Sequence, residues 1–206
     1  MKGIAFLSGF LSGLLTSSIM LPAIAQVASD GTTNTTVNST GNNFTILNGI
    51  QKGNNLFHSF KEFSIPTGGS ATFQNYSAIV NIINRVTGGN VSNIDGLIKA
   101  NGNANLFLIN PAGIVFGENA RLNIGGSFVG STAESLLFED GFNYSAIVSQ
   151  ATPLLTVSVP LGLQMGKQSG AIEIRGTGHN LSFDPDSFFP PFTRETIPQA
   201  LSVQPG

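Results

Sequence analysis

The chain has no cysteine and no tryptophan, and charged residues make up only 10% of its 206 positions. Without cysteine there is no disulfide, no thiolate nucleophile and no cysteine metal site. The charge content lies well below the roughly 25% usual for soluble domains. The formal net charge is −2, so there is no basic excess. Nucleic acid and anionic lipid surfaces are therefore not expected partners. No run after the N-terminus is long or apolar enough to span a bilayer, and stable membrane insertion is not expected. No Gly-x-Ser-x-Gly elbow occurs, and Gly125-Gly126-Ser127 lacks the lysine of a phosphate loop. His58 and His179 have no metal-ligand spacing. Asp30, Asp95, Asp140, Asp184 and Asp186 are scattered and read as turn carboxylates. No catalytic residue, metal or cofactor is assigned, and a non-enzymatic role is expected. A Ser-His-Asp arrangement and a β-helical polysaccharide lyase or hydrolase remain as alternatives, needing carboxylates that converge in a groove.

Polarity comes instead from Asn, Ser, Thr and Gly, a composition suited to stacked turns. Residues 1–25 read as a secretory signal peptide. Lys2 gives the positive end, Ile4–Leu15 the apolar region, and Ala23-Ile24-Ala25 the small-residue cleavage pattern before Gln26. Zero cysteine fits a chain crossing an oxidising compartment unfolded.

Strand signals follow one another with turns between them. Asn105–Thr132 holds Leu106–Ile109, Ile114–Phe116 and Arg121–Ile124, separated by Asn110-Pro111-Ala112-Gly113 and Gly117-Glu118-Asn119. Phe44–Leu47, Leu56–Ile65, Ala71–Gln74, Ile79–Val86, Ile94–Ile98 and Phe142–Val148 are further runs. Val27–Asn43 reads as a leader or weak edge strand. In Ile79–Val86, Val80, Ile82 and Val86 are assigned to one face and Ile79 and Ile83 to the other. Leu106 and Leu108 share a face opposite Phe107 and Ile109, so a covering hairpin is expected on that flank. Gly68-Gly69 and Gly88-Gly89, twenty apart, suggest a coil of roughly twenty residues. Thr132–Phe138 carries a helix signal, with Thr132 as cap and Glu134 in the first turn. Val157 and Val159 read as a strand closed by Pro160, and Ile172 and Ile174 as a further coil. Ile82, Leu106, Leu108, Ile114, Phe116, Leu122, Ile124 and Ile174 are expected in the core.

Asn110-Pro111-Ala112-Gly113-Ile114 has sound turn chemistry. Pro111 fixes φ, Gly113 can take positive φ, and Asn110 can accept from backbone two residues on. This stretch, with Ser59-Phe60-Lys61-Glu62-Phe63, Asn84-Arg85-Val86-Thr87-Gly88 and Ile94-Asp95-Gly96, resembles the two-partner-secretion domain of filamentous-haemagglutinin-like exoproteins, in cyanobacterial style. The family motif is Asn-Pro-Asn-Gly-Ile. Its second motif, Asn-Pro-Asn-Leu, is not found around Asn75-Tyr76-Ser77.

The resemblance implies an all-β fold: a right-handed, single-stranded parallel β-helix with an N-terminal cap and an extra-helical hairpin. The domain is expected over 26–182, because Phe183–Pro191 breaks the strand pattern; 183–206 reads as a poorly ordered tail or, as the resemblance implies, the start of a truncated repeat region. The implied function is secretion targeting of an adhesin-type exoprotein. The implied partner is an outer-membrane TpsB-type β-barrel transporter with periplasmic POTRA domains, which recognises Asn110, Pro111, Ala112, Gly113 and Ile114 directly or through the turn they shape. The route is Sec export, periplasm, then folding outside or on the surface of a Gram-negative-type cell. Surface glycans are a further partner, under the alternative of a carbohydrate-binding adhesin module, with Phe188, Phe189 and Phe192 as the aromatic cluster.

Overall fold

The computed structural model describes residues 26–147 and 155–176, and the backbone of 202–203. The signal sequence 1–25, Asp184, Asp186, His179, and the Phe188, Phe189 and Phe192 cluster lie outside the described residues.

The described chain is a parallel β-helix whose strands recur in the same order around three faces. On the first face, β5 (Asn55–Phe63), β7 (Asn81–Val86), β10 (Asn105–Ile109) and β13 (Phe128–Ser131) stack in parallel. The second face carries β8 (Ser92–Ile94), β11 (Ile114–Phe116) and β17 (Ile172–Ile174), with an isolated parallel bridge from Ile65 to Ile94 beneath. On the third, β3 (Asn43–Asn48), β6 (Ser70–Phe73), β9 (Leu97–Ala100), β12 (Arg121–Asn123) and β18 (Ser202–Val203) stack. From β3 to β13 the stacked strands lie 22 to 27 residues apart, somewhat longer than the expected twenty, whereas β17 and β18 return to β11 and β12 over much longer connections.

Alternation along each strand sorts side chains into two clusters. Leu56, Ile82, Leu106, Leu108, Ile114, Phe116, Leu122 and Ile124 fill the coil interior. Phe60, Phe63 and Phe73 close its first turn, with 5.1 Å between the rings of Phe60 and Phe63. Phe57, Ile83 and Ile109 point outward on the first face, where Leu136, Phe138 and Tyr144 cover them. The cover is a three-stranded antiparallel sheet: β15 (Asn143–Ser145), β14 (Ser135–Phe138) and β16 (Pro160–Gln164). It is the flanking hairpin expected from Phe107 and Ile109, with one strand added. The N-terminal end is capped by β1 (Val27–Ser29), antiparallel to β5, and by β2 (Thr35–Thr40), antiparallel to β3. The short strand β4 (Ile50–Lys52) also pairs β5. The cap hides an edge row of backbone donors and acceptors that another strand would otherwise occupy.

Asparagine ladders tie the coils together. Asn81 Nδ2 donates to Asn55 Oδ1 at 2.9 Å, and Asn105 Nδ2 to Asn81 Oδ1 at 3.0 Å. Asn105 Oδ1 then accepts from Ser127 N at 2.9 Å. Asn81 and Asn105 each donate to one coil and accept from the next, and Asn55 at the end of the row donates to Ser158 O at 2.7 Å, so no amide in this row is wasted.

Four sequence expectations fail locally. The helix over Thr132–Phe138 is strand β14 instead. Its Leu136 and Phe138 are drawn onto the apolar flank, and tertiary packing overrides a seven-residue helix signal. Val157 and Val159 form no strand; Val157 is 72% exposed, and strand β16 begins at Pro160 rather than ending there. A proline at a strand's first residue sacrifices no ladder bond. Ile79 joins the interior and Val80 is exposed, because strand β7 starts only at Asn81 and both residues belong to the preceding turn. Ile174 is 53% exposed rather than core. It pairs with Phe116 as the outermost strand of its sheet, and no strand follows β13 on the first face among the described residues. Among the described residues no helix is long and apolar enough to cross a membrane.

Candidate functional site: the Asn110–Ile114 corner

The five motif residues form the corner where the chain leaves β10 and enters β11. Gly113 N donates to Asn110 O at 3.1 Å, closing a four-residue turn. Asn110 Oδ1 accepts from Ala112 N at 3.0 Å, the side-chain-to-backbone bond that turn chemistry calls for. Gly113 has φ 129°, a conformation that side chains with a Cβ resist.

Asn110 is fully buried. Its Nδ2 donates to Asn90 O and to Ser92 Oγ, both at 2.9 Å. Its backbone N donates to Ser131 O at 2.9 Å. The corner is also covered by the segment leading into β17. Gly170 N donates to Pro111 O at 2.8 Å and Ile114 N to Ala171 O at 3.0 Å. A Cβ on Gly170 would collide with the Ala112 backbone. Pro111 and Ala112 are half-buried, while Gly113 and Ile114 are buried. The structure therefore brings all five residues together, but Asn110 spends its side chain entirely inside the domain.

A second constellation surrounds the buried cation Arg85, and its residue pairing is invisible in the sequence. Arg85 is 2% exposed and points outward from β7, under the flanking sheet. Its Nε donates to Ser59 Oγ at 2.7 Å, Nη1 to Ser145 O at 2.6 Å and Nη2 to Thr32 Oγ1 at 2.9 Å. The guanidinium carbon lies 4.5 Å from the centre of the Tyr144 ring. Ser59 and Thr32 hydroxyls pass the interaction on to Asp30, donating to Oδ2 at 2.5 Å and Oδ1 at 2.7 Å. Thr87 Oγ1 also donates to Asp30 Oδ2, at 2.8 Å. Burial pushes the Asp30 carboxyl up, but the hydrogen bonds from Ser59, Thr32 and Thr87 together outweigh it and hold the group below its usual range. Cap, coil and flanking sheet thus meet at one buried cation. Burial pushes the phenol of Tyr144 up, and its hydroxyl donates to His58 O at 2.9 Å.

The remaining candidates occupy separate places. His58 is buried, its Nδ1 3.0 Å from Thr35 Oγ1, and burial pulls its pKa down to about 3. Asp95 bonds Thr67 and Asn119 on successive coils, and Asp140, in the exposed turn between β14 and β15, bonds Thr156 and Phe142 N. Asp30, Asp95 and Asp140 each serve their own network rather than a common groove. Among the described residues no three His, Asp or Glu side chains are placed to hold a metal. The stretches that carried the sequence resemblance prove to be inter-coil contacts. Ser59 and Arg85 are register partners, and a Cβ at Gly88 would strike Lys61 O.

The heme/hemopexin-binding protein of Haemophilus influenzae is 32% identical over 105 residues, which is 51% of this chain and 11% of that protein. The chain thus corresponds to a small part of that relative's length. The crystal structure of the HMW1 secretion domain from Haemophilus influenzae is 28% identical, over 52% of this chain and 26% of that one, with a TM-score of 0.39. The family model of the TPS secretion domain matches residues 25–204, nearly the whole chain. These domains belong to adhesin-like exoproteins and are not a known enzyme family; they imply a cognate TpsB outer-membrane transporter and export to the exterior of a Gram-negative cell. This chain belongs to the TPS secretion domain family, as the secretion-targeting domain of a two-partner exoprotein.

Proposed function

We propose that the periplasmic POTRA domains of the transporter read this chain while it is extended, and that Asn110, Pro111, Ala112, Gly113 and Ile114 act chiefly by setting a coil corner once the chain has folded outside. The observation that carries this reading is the complete burial of Asn110, with its amide bonded to Asn90, Ser92 and Ala112. A side chain spent in this way offers a partner nothing until the corner opens. An extended segment, by contrast, exposes its whole backbone and can add to a sheet edge of the transporter. The signal sequence over 1–25, with its Ala23-Ile24-Ala25 pattern, is read as directing Sec export. The working domain is taken as 26–182; of the segment 183–206 that follows it, Ser202–Val203 adds a strand beside Arg121 and Leu122 on the third face. Outside the cell each added coil buries more apolar surface, which favours forward movement.

The test uses the isolated POTRA domains of the cognate transporter and the chain from Gln26 onward. Binding is measured to the folded domain and to the chain freshly diluted from denaturant, before it folds. The expected result is capture of the unfolded chain and at least tenfold weaker binding of the folded one. Equal binding of the folded domain would overturn the reading.

A further inference from the structure

Beyond its part in export, we propose that the folded domain binds a neutral carbohydrate in the groove between its N-terminal cap and the turn after β6. The groove holds about 640 Å³. Ligand sites are commonly of this size. Asn34, Asn48, Gln51, Gln74 and Asn75 line it, with Tyr76, and the other lining residues are aliphatic or glycine. No charged side chain lines it, so phosphates, carboxylates and amines find no counter-charge there.

Tyr76 sets this groove apart from the rest of an amide-rich surface. It is 79% exposed, and it is the one exposed aromatic side chain among the described residues. Every described phenylalanine, and Tyr144, is buried or half-buried. An aromatic ring held in water at the rim of an uncharged, amide-lined groove matches the two faces of a sugar ring. The apolar C–H face of a pyranose lies on an aromatic ring, whose body is apolar and whose hydroxyl stays wet. The hydroxyls around its edge pair with amides, each of which can donate and accept side by side.

The backbone that carries the Tyr76 ring is also fixed in advance, which lowers part of the ordering cost of binding. Asn75 Nδ2 donates to Asn101 O and Asn75 Oδ1 accepts from Asn101 N, both at 2.9 Å. Gln74 N donates to Ile46 O at 2.9 Å, and Ile79 N to Tyr76 O at 3.0 Å. Gln74 Oε1 accepts from Asn101 Nδ2 at 3.2 Å, and its Nε2 makes no hydrogen bond among the described residues. Asn48 is the one residue other than glycine with positive φ among those described, at 62°, and Thr36 Oγ1 anchors its Nδ2 at 3.0 Å. Its Oδ1 remains for a ligand. The Asn34 side chain and the Tyr76 hydroxyl make no hydrogen bond among the described residues, and both are exposed to an incoming ligand.

The experiment titrates the folded domain with neutral disaccharides (glucose-, galactose- and mannose-containing) and with sialylated and uronate-containing ones, following backbone amide shifts. Neutral sugars should shift the amides of Asn34, Gln74 and Tyr76. Tyr76→Ala and Gln74→Ala should each weaken binding about tenfold, equivalent to about 1.4 kcal/mol, and Tyr76→Phe should retain most of it. Melting curves check that the variants fold; both side chains are exposed, so they should. A parallel secretion assay with the cognate transporter should show Tyr76→Ala exported normally. Absence of neutral-sugar binding at 10 mM-order concentrations (about a hundredfold above a typical weak site), preference for acidic sugars, or binding indifferent to both alanine variants would each overturn the proposal. Loss of export in Tyr76→Ala without sugar binding would assign the groove to the transporter instead.

Discussion

Replacing Asn110 by alanine tests whether the corner is structural or is itself the recognised signal. From turn chemistry alone the substitution removes one side-chain bond. In the folded domain it removes three, to Asn90 O, Ser92 Oγ and Ala112 N. Each contributes about 1 kcal/mol net, and a buried group left without a partner costs about 1–3 kcal/mol. Ser92 is 1% exposed, so water does not readily replace the lost donor. The expected cost is about 3–4 kcal/mol. Gly113→Val places a Cβ at φ 129° and 3.1 Å from Ala171 O, a strain of about 1–3 kcal/mol. The structure therefore ranks Asn110→Ala as the more damaging, the reverse of the order that turn chemistry alone suggests. Ser92→Ala lies outside the motif and removes one partner of the same amide, at about 1 kcal/mol. Denaturant midpoints of the purified domains are set beside the ratio of secreted to periplasmic protein in cells carrying the transporter. If the corner acts through folding, all three variants fall on one curve of secretion against stability. Asn110→Ala that stays within about 0.5 kcal/mol of the parent and still fails to leave the periplasm would refute the reasoning.

Arg85→Lys should cost about 3 kcal/mol, because one ammonium cannot reach Ser59, Thr32 and the Ser145 carbonyl together, and bonds to charged groups contribute about 1.5–3 kcal/mol each. Hydrogen exchange should quicken in Val27–Ser29 and Asn143–Ser145 together; a change confined to β7 would mean the cation does not couple cap to flank. The His58 pKa of about 3 in the fold lies below its ordinary 6.5. The unfolded chain therefore binds a proton between these values while the folded one does not, and stability falls as pH drops through that window. The loss is about 2 kcal/mol at pH 5. It is read as a falling denaturant midpoint between pH 7 and 4.5, and a flat profile there would contradict a neutral buried imidazole. Asp30 acts in a lower window: its depressed carboxyl stabilises the fold above about pH 3.8 and the contribution disappears as pH falls through its folded value.

What could be read from the sequence is what alternation and turn residues fix locally. Leu106 and Leu108 against Phe107 and Ile109 give two buried faces within five residues, and the structure puts them in separate clusters. That division foretells a cover on one flank, though not its three strands. Thr132–Phe138 was ambiguous because four apolar residues in seven satisfy either period, and only the apolar flank of β5, β7 and β10 decides for strand. Ile174 has the same local pattern as Ile114 and Ile124, yet its burial depends on neighbours from other coils rather than on its own alternation.

The polar contacts were harder to read, for a reason of distance. Asn55, Asn81 and Asn105 form a ladder only when successive coils are 26 and 24 residues long. Irregular spacing hides such a repeat from any fixed-period search. Arg85 is harder still, since its partners Thr32, Ser59 and Ser145 lie 53, 26 and 60 residues away. The sequence marks it as unusual in one respect: an arginine between Ile83 and Val86, within a run of strand residues in a chain poor in charge. A cation there must be either at the surface or paired, and the apolar residues beside it exclude the surface. The pairing uses neutral hydroxyls and a carbonyl, with Asp30 one hydroxyl further out, so no single contact carries the full cost of desolvating an ion pair. It also makes the network conditional on three parts of the chain at once. Loss of the cap, the first coil or the flanking sheet leaves Arg85 short of a partner, so the energetics of this cation oppose partial structures in which only some of these parts have formed.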